Sequence, residues 1–432
     1  MIDIPQLYQL FLQSTGVTTD SRKVQAGQLY IALKGPNFNG NLFAAQAIEA
    51  GAVAAVVDEA RYANPDQHIW LVEDTLQTLQ QLALYHRRQF QVPVLAITGS
   101  NGKTTTKELI HAVLSKKYRT YTTQGNLNNH IGVPLTLLSV KPDAEMMVIE
   151  MGANHQQEIA SYCRYTEPTH GLITNVGKAH LEGFGGEEGV KKGKGELFDF
   201  LRAHNGEVFA CADFDYFRDM SKGINQLHWY GTAPGTAVAG TVVASEPFLT
   251  VQMHSGMQGH IQTQLVGGYN VYNVLAAVAV GLHFGVASAD IQKAIEAYTP
   301  TNSRSQLLEN GGNKYILDAY NANPSSMVLA IENFAKLHAA NKVLFIGAMA
   351  ELGDTSLEEH AEIVRQLQRY EWKEVVLVGG DFGRIVHPFR HFDTSALAGE
   401  WWQQQGWTNC YVLVKGSRST RMEQVLPTSV QK

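Results

Sequence analysis

Three stretches of the chain repeat one arrangement: an apolar run rich in β-branched residues, then a glycine or polar cluster, then a helix. They are VPVLAITGSNGKTTTKELIHAVL, AEMMVIEMGANHQQEIASYC and THGLITNVGKAHLEGF. Alternation of this kind implies a mostly parallel sheet with helices on both faces, whose ligands sit beyond the carboxyl ends of the strands. The fold class expected is therefore α/β.

With 432 residues the chain exceeds one ordinary core, so two or three domains are expected. Residues 1–91 read as a small α/β unit, with short strands (LYIAL, AVAAVVD, IWLVE), a helix FAAQAIEAGA ending at Gly51, and a polar helix TLQTLQQLALYHRRQF before Pro93. Residues 92–309 hold the repeated arrangement. Within them, TAVAGTVVAS, FLTVQMHSG and HIQTQLVG read as an antiparallel extension, and the helix YNVYNVLAAVAVGLHFG returns to the α/β pattern. A second boundary is placed at ENGGN, and residues 310–432, with KYILD, NKVLFIGAM, EVVLVGG and CYVLVKG, read as a third, Rossmann-like domain.

A net charge of -6 without a strongly basic stretch argues against a nucleic-acid surface, so phosphate binding must be local. Cys163, Cys211 and Cys410 lie far apart and show no CxxC spacing, which points to a reducing, cytoplasmic compartment. The N-terminal MIDIPQLYQLFLQSTG lacks a signal-peptide pattern, and no apolar run is long enough to span a bilayer.

The strongest local signal is VLAITGSNGKTTTKE, a strand running into a glycine loop and then a helix that begins around Gly102. Backbone N–H groups of Gly99, Ser100, Asn101 and Gly102, with the helix dipole, would cradle phosphate oxygens. Lys103 would reach the β- and γ-phosphates, and Thr104, followed by Thr105, would bring a hydroxyl to Mg²⁺. Ile97 stands where the longer G-x-x-x-x-G-K-[ST] form has glycine, so this loop is the shorter G-x-x-G-K-T form.

Glu150 ends the run MMVIE. Read alone it is equally a cation ligand or a helix-initiating acid; beside a phosphate loop the metal reading is favoured. A lone histidine such as His180 is more often packed or solvated than ligating. Lys194, in KKGKGE, reads as one of several solvated lysines. In LDAYNANPSS, a carboxylate at Asp318 suits ribose hydroxyls, yet the residues Asp318, Tyr320, Asn321 and Asn323 before Pro324 read more simply as an Asx-rich turn.

Together these segments resemble the Mur ligase family. The resemblance runs over essentially the whole chain through TTDSR, TGSNGKTTTKE, NLNNHIGVPLTLL, EMGA, NVGKAHLEGFG, KGELF, YNVYNVLAA, DAYNANPSSM, GAMAELGDTSLEEH and VKGSR. YNANP and MAELG match the dipeptide-adding branch of the family better than its sister ligases. The resemblance implies a cytoplasmic, monomeric, three-domain enzyme that spends ATP to join D-alanyl-D-alanine to UDP-N-acetylmuramoyl-tripeptide through an acyl phosphate.

It also implies roles for particular residues. Lys103 and Thr104 would hold ATP and a first Mg²⁺, with Glu150 as a further ligand of that ion. His180 would bind a second Mg²⁺, and Lys194 would be carbamylated by CO₂ into an anionic metal ligand; Lys103, His180 and Lys194 form the implied catalytic set. Asn270 and Asn273 match adenine-side asparagines, Asp318 a ribose-contacting acid and Arg304 a phosphate-binding arginine, although Ser303 precedes it where the family often has glycine. Ser21 and Arg22 match the uridine-nucleotide motif, while Tyr320, Asn321, Lys415 and Arg418 fall on the acceptor side. A hinge is expected around Asn302, Ser303 and ENGG. The alternatives are a Mur-type ligase that adds a single amino acid, or a P-loop regulatory NTPase.

Overall fold

The computed structural model describes residues 1–301 and 304–427. Among these, the strands form a four-stranded, a nine-stranded and a six-stranded sheet, with a short hairpin at Lys34–Gly35 and Phe38–Asn39. The first sheet is parallel throughout and runs Val17–Thr18, Leu29–Ile31, Ala54–Val57, Ile69–Leu71.

Within the nine-stranded sheet, Val94–Thr98 is the third strand from one edge, paired in parallel with Met146–Glu150 on one side and His170–Ile173 on the other. Every residue of these three strands is buried, as expected of parallel strands covered on both faces. Their carboxyl ends therefore open together at one edge, which sets Thr98, Glu150 and Ile173 side by side. Beyond Glu207–Cys211 and Gln226–Gly231 the sheet turns antiparallel through Val238–Ala244, Thr250–Ser255 and His260–Gln262, the extension read from the sequence.

The helix Thr75–Arg87 links the first sheet to the second by packing on helices Gly132–Leu138 and Glu158–Thr166. Its buried Arg87 guanidinium donates to the carbonyls of Thr166 (2.9 Å), Phe90 (2.9 Å) and Glu167 (3.2 Å). The apolar core accordingly continues from the N-terminal helices into the central sheet.

In the six-stranded sheet, Gln306–Asn310 runs antiparallel to Asn313–Asp318, followed by Tyr411–Lys415, Lys342–Gly347, Glu374–Val378 and Arg390–Phe392 in parallel. The stretch ENGGN, expected to be a boundary, is a two-residue hairpin turn inside this sheet. Asn310 pairs with Asn313 across Gly311 and Gly312, both at positive φ (57° and 74°), the backbone that such turns require. The sheet thus begins at Gln306, ahead of the expected start at 310. ENGG, expected near a hinge, is thus held in a hairpin of this sheet, and Asn302 and Ser303, the rest of that expectation, lie outside the described residues.

Asn323 is more than a turn residue. It caps the helix Pro324–Lys336 in a reciprocal pair with Ser326, and its side-chain Nδ2 also donates to the side-chain Oδ1 of Asn101, in the glycine loop, at 2.8 Å. Among the described residues no helix is long and apolar enough to cross a membrane.

Candidate active site

Beyond the strand Val94–Thr98 the chain forms the loop Gly99–Gly102 and enters the helix Lys103–Leu114. Gly99 and Gly102 both have positive φ, 140° and 79°, a region open to glycine at little cost. Neither has room for a side chain: a Cβ on Gly99 would collide with the Thr174 hydroxyl, and one on Gly102 would sit 2.7 Å from Asn273 Oδ1. The loop is braced from behind. Thr174 Oγ1 donates to Asn101 O at 2.6 Å, Asn101 N donates to Asn175 Oδ1 at 3.0 Å, and Ser100 shares hydrogen bonds with Gly177 at 3.0 Å.

Lys103 folds over this loop and donates to Gly99 O at 2.7 Å and Ser100 O at 3.3 Å. Burial lowers its pKa to about 8; the Glu150 carboxylate opposes that shift and the Arg304 guanidinium adds to it. The Thr104 hydroxyl donates to Glu150 Oε1 at 3.1 Å, and the Asn128 amide donates to the same oxygen at 2.7 Å. Glu150 is buried, and among the described residues its other oxygen, Oε2, has no partner. An unmatched buried carboxylate oxygen is costly, so this atom calls for a cation. Thr105 follows on the same helix, half-buried.

Asn270 and Asn273 are buried and satisfied by one another and by the fold. Asn273 Nδ2 donates to Asn270 Oδ1 (2.8 Å), Asn270 Nδ2 donates to Val266 O (2.8 Å), and Asn273 Oδ1 accepts from Thr106 (3.0 Å). They stand behind the loop at Gly102.

A cavity of about 870 Å³ opens in front of Thr104, between the central and C-terminal sheets. Thr104, Asn154 and His180 line it from the central side; Arg304, Tyr320, Asn321, Glu351 and Arg418 line it from the other. The Arg304 guanidinium stacks 3.7 Å over the Tyr320 ring, and its buried Nε has no partner. His180 has φ 53° and pairs through Nδ1 with Glu351, which holds the Glu351 carboxyl below its usual pKa.

Lys194 departs most from its reading by composition. Its neighbours Lys191 and Lys192 face outward, whereas Lys194 is fully buried on the inner face of the helix Glu187–Ala203. Its Nζ donates to Ala153 O at 2.8 Å and lies 4.8 Å from the Phe184 ring centre. Burial first, then the Lys103 charge, push its pKa well down, against the pull of Glu158 and Glu196.

Other expected residues are placed differently. Asp318 and Lys415 form an ion pair at 2.5 Å, so each is engaged by the other. Ser21 and Arg22 lie on the N-terminal unit, outside this cavity, where the exposed Arg22 forks onto the Asp20 carboxylate with two hydrogen bonds of 2.9 Å.

Asn128, Asn154 and Glu351 belong to this site without having been singled out. Asn128 and Glu351 lie in NLNNHIG and MAELG, but nothing local couples them to Glu150 and His180; only the folded sheets do.

Family models match along the chain: the Mur ligase family catalytic domain at residues 13–87, the Mur ligase middle domain at 97–281 and the Mur ligase glutamate ligase domain at 303–418. A UDP-N-acetylmuramoyl-tripeptide–D-alanyl-D-alanine ligase of Bacillus subtilis is 37% identical over 361 residues, 83% of this chain and 78% of the relative. The chain belongs to the Mur ligase family.

An Escherichia coli ligase of the same name is 36% identical over 425 residues, covering 95% of this Mur ligase and 92% of its relative. Among solved structures, MurF from Acinetobacter baumannii superposes with a TM-score of 0.88 at 31% identity, covering 98% of this chain and 97% of that one. MurF ligase from Thermotoga maritima, solved in complex with ADP, gives 0.84 at 26% identity with 96% of both chains covered.

In this Mur ligase the glycine cradle leaves no space for a methyl group. Gly102→Ala is expected to weaken ADP binding about tenfold, because about 1–3 kcal/mol of backbone strain would fall on the loop that meets the nucleotide. Calorimetric titration with ADP measures this, and an unchanged affinity would remove the loop from the nucleotide site.

Proposed function

We propose that this Mur ligase joins D-alanyl-D-alanine to UDP-N-acetylmuramoyl-tripeptide at the expense of ATP, producing the pentapeptide precursor of peptidoglycan. The observation that carries the proposal is the pairing of a glycine-cradled lysine loop with a buried, half-satisfied carboxylate, at the mouth of a cavity shared by two lobes. The relatives at 36–37% identity supply the choice of substrates.

A carboxylate does not condense with an amine in water, because its leaving group is poor. It must be activated. The tripeptide carboxylate attacks the γ-phosphorus of ATP, releasing ADP and leaving an acyl phosphate; the dipeptide amine then displaces phosphate through a tetrahedral intermediate. Two anions meet in the first step. Lys103 would turn from its own loop carbonyls to the β- and γ-phosphates, and the stacked Arg304, with a free Nε, would take phosphate oxygen from the opposite lobe.

The residues present fit Mg²⁺. Thr104 and Glu150 offer hard oxygen ligands, one of them an orphaned carboxylate oxygen, and would hold a first ion. His180 and Lys194 are the candidates for a second. An amine kept neutral by burial is the form that adds CO₂, so Lys194 is suited to become a carbamate, which changes a buried base into an anionic ligand. Bound Mg²⁺ would neutralise charge on the transferring phosphoryl group.

Asn270 and Asn273 would hold the adenine-side wall, and Asp318 would approach the ribose while keeping Lys415 in place. Residues 1–91 would bind the uridine nucleotide through Ser21 and Arg22, residues 92–309 ATP, and the C-terminal domain the incoming dipeptide through Tyr320, Asn321 and Arg418. We place the enzyme in the cytoplasm as a monomer, in keeping with three free, buried cysteines.

Purified protein given ATP, UDP-N-acetylmuramoyl-tripeptide and D-alanyl-D-alanine is expected to yield ADP and the nucleotide-linked pentapeptide in equal amounts by mass spectrometry. Equal turnover with single amino acids, or ADP formed without either peptide, would instead support a sister ligase or a regulatory NTPase. For Lys194→Ala, activity is expected to fall and to return in part with added short carboxylates. Full activity without them would exclude the carbamate.

A further inference from the structure

At the opposite end of the central sheet from the cavity, four side chains converge that ligase chemistry does not use. His170 begins the strand His170–Ile173, Glu207 begins Glu207–Cys211, and His228 lies in Gln226–Gly231. These strands are adjacent and parallel, with His170 facing Glu207 and His228 facing Phe209 in register. His283 is the last residue of the helix Val271–His283, which packs across them.

Glu207 is the hub. Its Oε2 lies 2.7 Å from His228 Nε2 and 3.5 Å from His283 Nε2, and its Oε1 lies 3.7 Å from His170 Nε2. One ligand atom from each of His170, Glu207 and His283 falls within 4.8 Å of the others, and His228 stands at the edge of this trio, against Glu207 and the His283 ring. Phe209 and Phe284 close the sides, with ring centres 4.9 Å from His228 and 5.0 Å from His170.

One carboxylate neutralises one imidazolium; three rings turned on the same carboxylate make poor sense as ion pairs. They make good sense as lone-pair donors. The Thr169 hydroxyl, anchored by Val94 N at 2.9 Å, sits 2.8 Å from His170 Nδ1 and so fixes the ring with Nε2 inward. Metal-bound histidines are commonly oriented by such a partner on the far nitrogen.

We propose that His170, Glu207, His228 and His283 form a structural site for a borderline transition-metal ion, with Zn²⁺ as its simplest occupant. Three imidazoles and one carboxylate suit such an ion and not the all-oxygen preference of Mg²⁺. A tetrahedron with bonds of about 2.0–2.1 Å sets its corners roughly 3.3 Å apart. Measured from the single oxygen Oε2 of Glu207, His228 Nε2 at 2.7 Å and His283 Nε2 at 3.5 Å lie on either side of that value. The ion would pin the C-terminal end of a 13-residue helix whose other end carries Asn273 behind Gly102, so the site would clamp the element that backs the phosphate loop.

The full chain, stripped by a chelator and then supplied with excess Mg²⁺ and ADP to fill the ligase cavity, is titrated with Zn²⁺ by calorimetry. One Zn²⁺ per chain and a higher unfolding midpoint are expected. His228→Ala and Glu207→Gln should each weaken Zn²⁺ about 100-fold, and Thr169→Val about tenfold, with circular dichroism confirming a folded chain. His228, with a third of its side chain exposed, is the substitution least dangerous to folding. Co²⁺ should give the visible absorption of a four-coordinate site in wild type and lose it in His228→Ala. The proposal is overturned if wild type binds no Zn²⁺, or if binding persists unchanged in His228→Ala and vanishes in His180→Ala.

Discussion

A buried carboxylate with one oxygen satisfied and one bare organises this molecule. Taking Glu150 out of water costs several kcal/mol unless its charge is met. Thr104 from a helix and Asn128 from a loop meet one oxygen, and the other is left for a cation. The adjoining loop has the opposite character in its lysine, which in this state donates to Gly99 O and Ser100 O, while Ser100 N and Asn101 N are held from behind by Asn175. The proposed function sets an anion site and a cation site side by side, as a metal–nucleotide complex requires, where the parallel sheet ends Val94–Thr98 and Met146–Glu150 in register.

The C-terminal lobe joins the central one through a continuous apolar cluster and, at this edge, through a set of polar contacts. Asn323 reaches Asn101, Ser325 accepts from Lys178 N at 3.0 Å, Lys178 pairs with Glu359 at 2.6 Å, and Glu351 with His180. Polar contacts of this kind can open and close at modest cost. That property suits a reaction whose acyl phosphate must be kept from water yet whose substrates are large. Several of these contacts touch the glycine loop or the cavity wall directly, so lobe position and site geometry are coupled.

Strand–helix alternation was legible because strands buried on both faces must be largely apolar, and VLAIT and MMVIE are so up to their last residues, Thr98 and Glu150. ENGGN was misleading, since the residues that make a good linker, Asn and Gly, also make a tight hairpin turn. Lys194 illustrates a readable signal passed over: Val190, Leu197 and Leu201 share its helical face, so its spacing marked it as inward while its charge marked it as solvated. The pairing of His180 with Glu351 spans 171 positions, and that of Asn128 with Glu150 joins a loop to a neighbouring strand. No local pattern encodes either. The resemblance pointed to Asn270, Asn273, Asp318 and Lys415, but their mutual hydrogen bonds became apparent only in three dimensions.

The most direct measurement is divalent-ion binding at Glu150, with Mn²⁺ as a paramagnetic stand-in for Mg²⁺ titrated into the ADP-saturated protein and followed by electron paramagnetic resonance. Glu150→Gln keeps an oxygen for Thr104 and Asn128 but removes the charge. The account predicts that Mn²⁺ affinity then falls about 10- to 100-fold. Equal affinity in the two proteins would contradict it.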